Sequence, residues 1–335
     1  MENLNLDLLI EDLNLEVIPA ENTSFTNFAY QYIRKLSEGK ILTPKKRQFS
    51  ESSVRQYGAS MAMFEEFEAE LPKKVEITDI SSKMMKAFEV FLIEKNLSLN
   101  SVSAYISKIK AIANVLIDDE SISFRKIKIA TPKERTTKIY LSLNELKQIN
   151  ECQELSEGQR KVWDIFMIQS FCGMRYSTLK KFLNNPLSYI KEVDGFSFIE
   201  IFADKTNEEC VIPLSEVISE TLKKYNGVIN PPSERYMNQT LKIIGKKSGI
   251  TNTFVERITI GGEMKEVLKP KYLNISTTTA RRNFLTIIRN YIHSTDAIIS
   301  MSGHKNSNQM EHYIRSTKLD KVMPFMENKF FKISL

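Results

Sequence analysis

Apolar side chains in the first third of the chain recur every three or four residues, from Thr23 to about Asp119. This spacing places them on one face of successive amphipathic helices. Ser50 or Ser52 can cap the second of these helices, Asp79 begins the third and Asn100 can cap the fourth. The pattern therefore predicts a compact four-helix unit, with these apolar stripes: Phe25, Phe28 and Ile33; Tyr57, Met61, Phe64 and Phe67; Met84, Met85, Phe88 and Leu92; Val102, Ile106, Ile109, Ile112 and Leu116.

The pattern after residue 140 mixes helices with short strands. Ser142-Leu143-Asn144-Glu145 is a capping box that opens a helix to Asn150. Alternating residues predict two strands, with Lys205 at the tip of their hairpin, and a second hairpin around Gly261-Gly262. We therefore predict a mainly α protein with small β-hairpins, an α+β fold class. The further helices are expected at 157–171, 215–225, 232–247 and from 277, the strands at 196–202 and 209–213, and the second hairpin at 254–268.

Near its end the chain carries Ser302-Gly303-His304, followed nine residues after the histidine by Tyr313. Thr295 or Asp296 can cap a short helix before this motif, and Gly303 can leave that helix in a left-handed conformation. A second short helix, from Asn306 to Ser316, would carry Tyr313 and let it meet His304 across the turn. Taken alone, the same residues also fit a helix cap with a polar neighbour and a tyrosine packed in the core.

Composition describes an ordinary globular chain. Its 335 residues and 42% hydrophobic content suffice for two domains. It has no apolar run long enough to span a membrane and no basic region at the N-terminus, so neither a transmembrane helix nor a signal peptide is expected. Cys152, Cys172 and Cys210 form no CxxC pair and fit buried thiols in a reducing compartment.

Charge is distributed unevenly along the chain, whose formal net charge is +6. Residues 1–22 hold acidic residues and no Lys or Arg, so we expect an acidic tail that does not bind phosphate. Residues 121–140 form a basic linker that can close over a DNA backbone or simply be solvated. A solvated helix face is likewise the alternative for Lys108 and Lys110. The candidate DNA-binding residues are Lys108, Lys110, Arg125, Lys126, Lys128, Lys133 and Arg135.

Read in order, five motifs give the chain a resemblance to the tyrosine recombinase, or lambda-type phage integrase, family. They are Gly173-Met174-Arg175-Tyr176-Ser177-Thr178-Leu179, Lys205-Thr206 before Val211-Ile212-Pro213-Leu214, Thr278-Thr279-Ala280-Arg281-Arg282, Ser302-Gly303-His304, and Tyr313. Each motif is weak alone, but the resemblance as a whole extends from about residue 23 to beyond Tyr313. The doubled arginine after a Gly-Gly hairpin is most similar to integrases of conjugative transposons and related mobile elements.

The resemblance implies an N-terminal SAM-like core-binding domain and a C-terminal catalytic domain of the DNA breaking–rejoining type. It implies that the Tyr313 oxygen attacks a phosphodiester and forms a 3′-phosphotyrosyl link. Tyrosine is a weak nucleophile because its pKa is about 10. Guanidinium groups would stabilise the charge on the phosphoryl oxygens. Arg175, Arg281 and His304 would bind the phosphate, and Lys205 would protonate the leaving oxygen. The reaction needs no metal, cofactor or ATP.

Two positions depart from the family pattern. Thr278 replaces the histidine of His-x-x-Arg, and Thr178 replaces an acidic residue that supports the site. Arg282 stands where a second histidine or a lysine is common and could contact phosphate or a carboxylate. The alternatives are that Arg282 is a surface residue and that Thr278 is a helix cap. Loss of one assisting group could slow the reaction on the order of 10²–10³-fold.

The resemblance also implies the partners. We expect double-stranded DNA with inverted-repeat core sites, a homo-tetramer in the synaptic complex, and host or element accessory factors, in the bacterial cytoplasm on the nucleoid. The apolar C-terminal segment, residues 316–335, would dock on a neighbouring protomer or pack on its own domain. The predicted domains are thus a tail at 1–22, a core-binding domain at 23–120, a linker at 121–140, a catalytic domain at 141–315 and the C-terminal segment.

Three other classes of protein fit these motifs less well. A binding-only relic of the family would keep the DNA clamp, and Thr278 favours it, but the arginines and Tyr313 oppose it. A metal-dependent tyrosine nickase needs a histidine cluster, whereas His293, His304 and His312 form no HxH pair. A type IB topoisomerase shares the chemistry but not the four-helix clamp and the Lys-Thr hairpin. The prediction is a recombinase for integration, excision or inversion of a mobile element.

Overall fold

The computed structural model describes residues 24–118, 127–134, 137–311 and 313–314. Its residues fall into two compact units, Met1–Thr136 with Arg257–Glu266, and Thr137–Glu256 with Val267–Leu335. Helices dominate both units, and the strands form a three-stranded and a two-stranded sheet. The predicted mainly α fold with small antiparallel sheets is confirmed. The predicted N-terminal tail, the C-terminal segment and Arg125, Lys126 and Arg135 lie outside the described residues.

The first unit is built from four helices whose N-termini are each capped by a serine side chain. These caps are Ser24, Ser50, Ser81 and Ser98, and each accepts a backbone N–H from the first turn. The helices are α1 (Phe25–Ser37), α2 (Glu51–Glu68), α3 (Ser82–Glu94) and α4 (Leu99–Ala113), with 3₁₀ turns at Ile77–Asp79 and Asn114–Asp118.

Two of the predicted helix starts in this unit are wrong. Asp79 ends a 3₁₀ turn, where its carboxylate accepts the backbone N–H of Glu76 at 3.0 Å. Asn100 lies inside α4, and its side chain instead pairs with the backbone of Glu134, donating at 3.0 Å and accepting at 3.1 Å. A short polar side chain can cap a helix or bind the backbone of another segment, and local sequence does not distinguish these two roles.

The predicted apolar stripes form the core of the first unit. Phe25, Phe64 and Phe88 are fully buried, and their rings meet edge to face at 5.3 and 5.2 Å. This geometry sets the positive ring edge against the negative ring face, which adds to the free energy of apolar burial. The apolar spacing therefore predicted the side chains through which α1, α2 and α3 pack together.

The second unit surrounds helix α6, which is buried on nearly every side. Trp163 and Phe166 stack at its centre, and α6 packs against the helix that carries Arg281. Because α6 is the buried central helix of the unit, its C-terminal end fixes the position of the turn that follows it at Gly173. The elements after residue 140 are α5 (Leu143–Asn150), α6 (Glu157–Cys172), α7 (Tyr176–Asn184), β1 (Ile190–Val193), β2 (Phe196–Phe202), β3 (Glu209–Pro213), α8 (Glu216–Lys224), α9 (Glu234–Lys247), β4 (Thr253–Ile260), β5 (Glu263–Pro270), α10 (Thr277–Ile288), α11 (Thr295–Ser302) and α12 (Ser307–Glu311).

The three-stranded sheet is antiparallel in the order β1-β2-β3. Strands β2 and β3 have the bounds predicted from alternation, with Ile199 and Ile201 pointing into the core. Strand β1 was missed because its four residues are mostly exposed and carry no alternating pattern. Strands β4 and β5 form the predicted second hairpin, whose outer residues, Arg257–Glu266, belong to the first unit.

Two further features concern the cysteines and the membrane. The three cysteines are free thiols, and Cys172 and Cys210 are buried. Within the part of the chain that the structure describes, no helix combines the length and apolarity needed to cross a bilayer.

Candidate active site

Arg175 reaches the site because α6 ends at a left-handed glycine. Gly173 has φ +67°, and a Cβ there would lie 2.3 Å from Cδ1 of Phe284, so both the turn and the packing require glycine. Arg175 follows two residues later as the N-cap of α7, as predicted. Its Nη1 is buried and, among the described residues, has no hydrogen-bond partner. An unpaired buried donor on a cationic group favours an anionic ligand.

Arg281 is held in place by backbone carbonyls from two sides. On α10 it is 3% exposed, and its Nη1 donates to the Gly173 carbonyl at 2.6 Å and its Nη2 to the Ser302 carbonyl at 2.8 Å. Burial, reinforced by the charge of Arg175, lowers the pKa of Arg281 to about 10. The guanidinium therefore stays charged at neutral pH while its position is fixed.

His304 lies just past the left-handed C-cap of α11, as predicted, although Ser294 and not Thr295 or Asp296 caps that helix at its start. Its Nε2 is 2.9 Å from Nη2 of Arg281, and its Nδ1 is 2.7 Å from Oγ of Ser302. Because the Ser302 hydroxyl donates to the Ile298 carbonyl at 2.6 Å, we assign the His304 proton to Nδ1. Nε2 then accepts from Arg281.

The electrostatic surroundings keep His304 neutral. Burial first, and then the charges of Arg281 and Arg175, lower the pKa of His304 to about 3. The imidazole therefore does not titrate near neutral pH, and it acts as a hydrogen-bonding group rather than as a charge.

Tyr313 packs against both of these groups. Its ring centroid is 5.3 Å from that of His304 and 5.3 Å from Cζ of Arg281, and the side chain is half-buried. The predicted meeting of tyrosine and histidine across a turn is therefore seen. The predicted second helix is found, but it is shorter than expected and does not carry Tyr313: α12 spans Ser307–Glu311, and Tyr313 lies in a turn, its N–H bonded to the Met310 carbonyl at 2.9 Å.

Lys205 stands exposed in the turn between β2 and β3, as predicted. Thr178, the residue in the place of the expected acid, is buried, and its hydroxyl oxygen accepts the N–H of Asp204 at 3.2 Å. The carboxylate of Asp204 pairs with Lys181. The neutral hydroxyl of Thr178 therefore supports the turn that carries Lys205. The carboxylate near this turn is that of Asp204, which is part of the turn itself.

Four of the five predicted catalytic residues line one cavity of about 260 Å³, and His304 contacts two of them. Thr278 also lines it, exposed, as the second residue of α10. Ser276 caps that helix, so the cap alternative for Thr278 is wrong. The lining residues are Arg175, Tyr176, Ser177, Lys205, Glu234, Thr277, Thr278, Arg281 and Tyr313.

Arg282 does not line the cavity. It is 9% exposed and its Nη1 donates to the Ile139 carbonyl at 3.1 Å, so the surface alternative is wrong. This contact fastens the segment before α5 to α10, where Asn283 also accepts the Leu141 N–H at 2.7 Å. Arg282 therefore serves the scaffold behind Arg281.

Glu234 was missed by sequence reasoning. This first residue of α9 lines the cavity, and its carboxylate accepts from the Thr277 hydroxyl at 2.7 Å. Burial, followed by the charge of Glu234, raises the pKa of Tyr176 to about 12. An acidic residue in the first turn of a helix is ordinary in sequence, and only the fold places it beside the two arginines.

The lysines proposed for DNA binding are placed differently from one another. Lys108 lies over the Tyr57 ring at 4.3 Å, and burial lowers its pKa, while Lys110 donates to the Ile129 carbonyl at 3.1 Å. Lys128 and Lys133 are exposed. Exposure therefore distinguishes Lys128 and Lys133 from the two lysines on α4.

Chemically, the cavity joins two guanidinium groups, an ammonium group and a tyrosine hydroxyl. No group of three or more His, Cys, Asp or Glu side chains that could hold a metal is found in the described ranges. The cationic donor set fits a phosphodiester, since bidentate guanidinium forks match phosphoryl oxygens.

Comparison with known proteins finds a matching family model and a relative. Residues 24–131 match the family model described as the phage integrase SAM-like domain. The tyrosine recombinase XerC of Pediococcus pentosaceus is 20% identical over 281 residues, which cover 81% of this chain and 90% of XerC.

Two solved structures share the fold over most of the chain. A lambda integrase tetramer bound to a Holliday junction aligns with a TM-score of 0.61 and 16% identity, covering 95% of this chain and 84% of that one. The Tn1549 transposon integrase in complex with circular intermediate DNA aligns with a TM-score of 0.58 and 15% identity, covering 91% and 100%.

Proposed function

We propose that this chain, which is similar to tyrosine recombinases and to phage integrases, is a site-specific DNA recombinase acting through Tyr313. The resemblance expected from its motifs is confirmed by the SAM-like domain match and by the XerC relative. The observation that carries the proposal is the cavity in which Arg175, Arg281, Lys205 and Tyr313 converge.

In the proposed reaction the Tyr313 oxygen attacks the scissile phosphorus and gives its proton to solvent water. The bond from phosphorus to the 5′-oxygen breaks, and Lys205 gives that oxygen a proton, leaving a 3′-phosphotyrosyl link and a 5′-hydroxyl. Attack by the 5′-hydroxyl of another strand reverses these transfers. The bond energy is retained in the protein–DNA link, so the exchange needs no ATP.

Arg175 and Arg281 would stabilise the charge that develops on the phosphoryl oxygens. Arg175 has a buried Nη1 without a partner, and Arg281 has an Nε in the same condition among the described residues. In the assigned tautomer His304 accepts from Arg281, so His304 acts on the phosphate through that guanidinium. This refines the sequence-based expectation of a direct bond from His304 to phosphate.

The partners are proposed on the same premise. We propose double-stranded DNA with inverted-repeat core sites as the substrate and a homo-tetramer as the synaptic assembly, in line with the lambda integrase tetramer on a Holliday junction. Exchange of residues 316–335 between protomers, accessory factors, and a place on the bacterial nucleoid complete the proposal. The likeness to the Tn1549 transposon integrase supports a mobile element as the source.

The test is covalent capture of DNA. A site is first selected with Tyr313→Phe from a random-sequence duplex library, and then built into a nicked duplex that releases the cleaved end. We expect a denaturant-stable adduct from the wild type and none from Tyr313→Phe. The matched control Tyr291→Phe alters a tyrosine that is 70% exposed and should leave the adduct unchanged. Retention of DNA without any wild-type adduct would contradict a catalytic role.

Thr278 supports a second candidate, a recombinase-like protein that binds DNA with weakened catalysis. It lines the cavity where the family has an imidazole, and a hydroxyl cannot act as an acid or base near neutral pH. Thr278→His distinguishes the two. A wild type without adduct and a Thr278→His variant that gains one would establish decay at this position, whereas faster adduct formation by Thr278→His than by an active wild type would show only that Thr278 limits the rate.

A further inference from the structure

The turn that carries Lys205 is fastened to the turn that carries His304. Between β2 and β3, the Thr206 hydroxyl donates to the Gly303 carbonyl at 3.1 Å. Thr206 is half-buried although its neighbour Lys205 is exposed. One side chain therefore leaves the turn toward the cavity while the next anchors the turn to α11.

Gly303 permits this contact because it has no side chain. Its φ is +61°, and a Cβ there would lie 2.6 Å from Sγ of Cys210 and 3.1 Å from Cβ of Ala203. The β2–β3 hairpin thus rests directly on the Gly303 backbone. This closeness brings the Gly303 carbonyl within reach of Thr206, so the glycine serves the turn as well as the helix cap.

The three residues of the Ser302-Gly303-His304 motif divide their contacts between the two halves of the site. The Ser302 carbonyl and the His304 ring both bind Nη2 of Arg281, at 2.8 and 2.9 Å. The Gly303 carbonyl between them binds Thr206. Ser302 and His304 of this motif therefore hold Arg281, and Gly303 between them holds the turn that carries the proposed general acid.

We propose that Thr206 is a positioning residue that sets the Lys205 ammonium relative to the scissile phosphate; this rests on the proposed function of the site. The rest of the turn is held at Asp204, by Thr178 and Lys181, on the other side of Lys205. With anchors on both flanking residues, the backbone of Lys205 is held in place while its side chain is exposed at the cavity. Loss of the Thr206 hydroxyl frees one of these anchors and leaves the Gly303 carbonyl without that donor.

The test separates positioning of the acid from general damage by changing the leaving group. In a duplex whose scissile bond has sulfur in place of the 5′-oxygen, the leaving group is a thiolate. A thiol has a pKa of about 8.5, so its departure needs no proton from Lys205. A variant that impairs only proton delivery is therefore slow on the oxygen duplex and normal on the sulfur duplex.

We expect Thr206→Val to lower the rate of adduct formation about 10-fold on the oxygen duplex, the loss of one hydrogen bond in the transition state. On the sulfur duplex its rate should match the wild type within about threefold. A rate difference of that size corresponds to less free energy than one hydrogen bond contributes. Thr206→Ser keeps the hydroxyl and should restore the oxygen rate. Lys205→Ala sets the scale, with a deficit of about 10²–10⁴-fold on oxygen that sulfur removes.

Thr221→Val is the matched control. Thr221 is also half-buried, and its hydroxyl donates to a carbonyl, that of Val217 at 2.6 Å, but it lies within α8 and not in the turn that carries Lys205. Its replacement should leave both rates unchanged, and melting temperatures report any loss of folding in each variant.

Several outcomes would overturn the inference. They are an equal deficit of Thr206→Val on both duplexes, no deficit on oxygen, the same deficit from Thr221→Val, and a Lys205→Ala deficit that sulfur does not remove. Failure of the proposed function looks different, because the wild type would then form no adduct with either duplex.

Discussion

The site has a buried half and an open half, and the two are held by different means. Arg281 and His304 are each 3% exposed and bind each other, and Arg281 also binds the carbonyls of Gly173 and Ser302. Lys205 and Thr278 are exposed at the other side of the same cavity. The groups of the buried half are held by contacts within the protein, whereas the side chains of the open half face the cavity proposed to bind the phosphate.

This difference indicates which half of the site holds its groups in fixed positions for the transition state. Fixed dipoles and charges that need no rearrangement stabilise a transition state more than mobile ones do. The buried half supplies such groups, so damage there should reduce both the rate of cleavage and the stability of the fold. Damage to the open half should reduce the rate alone.

Among variants that keep Tyr313 and Lys205, the largest effect is expected from Arg281→Lys. Lysine keeps the charge but cannot donate in a planar fork to the Gly173 and Ser302 carbonyls at once. We expect adduct formation to slow about 10³-fold at saturating DNA, the cost of losing a preorganised donor. The matched control is Arg282→Lys, which alters the adjacent arginine and should slow the reaction less than about 10-fold, since that residue does not line the cavity and donates to the Ile139 carbonyl. Similar losses from both variants would contradict the division.

Gly173→Ala tests the backbone beneath the buried half. The φ of +67° and the 2.3 Å approach to Phe284 both oppose a Cβ. We expect the free energy of unfolding to fall by about 2–4 kcal/mol, from strain and overpacking together. Gly58→Ala, inside α2 with nothing within 4 Å of its Cβ position, should instead raise it by about 0.5–1 kcal/mol. Denaturant unfolding measures both, and an unchanged midpoint for Gly173→Ala would count against a required glycine.

Acid sensitivity should distinguish the buried half next. The pKa of His304 is about 3 in the folded protein against an ordinary 6.5, so the unfolded chain binds the extra proton between these values. The stability due to a neutral His304 is therefore complete above about pH 6.5 and falls as the pH drops toward 3. His304→Gln should flatten the fall of unfolding free energy with pH across this window. The control is His293→Gln, at an exposed position, which should keep the wild-type slope of unfolding free energy against pH. A wild-type slope for His304→Gln as well would contradict a neutral, buried imidazole at this position.

Sequence predicted the parts of the site that depend on local chemistry. Gly173, Gly303 and the two strands around Lys205 follow from left-handed caps and from alternation, and each is found where expected. The helix caps at Ser81, Ser98 and Ser294 were misassigned because serine, asparagine and aspartate compete for the same local role.

The parts that sequence missed depend on distant contacts. Glu234 lines the cavity and Arg282 does not, because of the way α9, α10 and the segment before α5 pack together. The anchor from Thr206 to Gly303 joins residues 97 positions apart in the chain. No periodicity reports such a pair, since a pattern describes one face of one element and not its neighbour.

The smallest effect is expected at the exposed Lys133, a residue that belongs to neither half of the site. If this lysine meets a DNA phosphate, Lys133→Gln should reduce the slope of log affinity against log salt by about 1 and weaken binding alike for all sequences. The rate of adduct formation at saturating protein should not change, because neither half of the site is altered. Lys110→Gln is the comparison, since its ammonium already donates to the Ile129 carbonyl and should contribute less to the slope. Filter retention over a range of salt concentrations measures both, and an unchanged slope for Lys133→Gln would remove this residue from the DNA-binding surface.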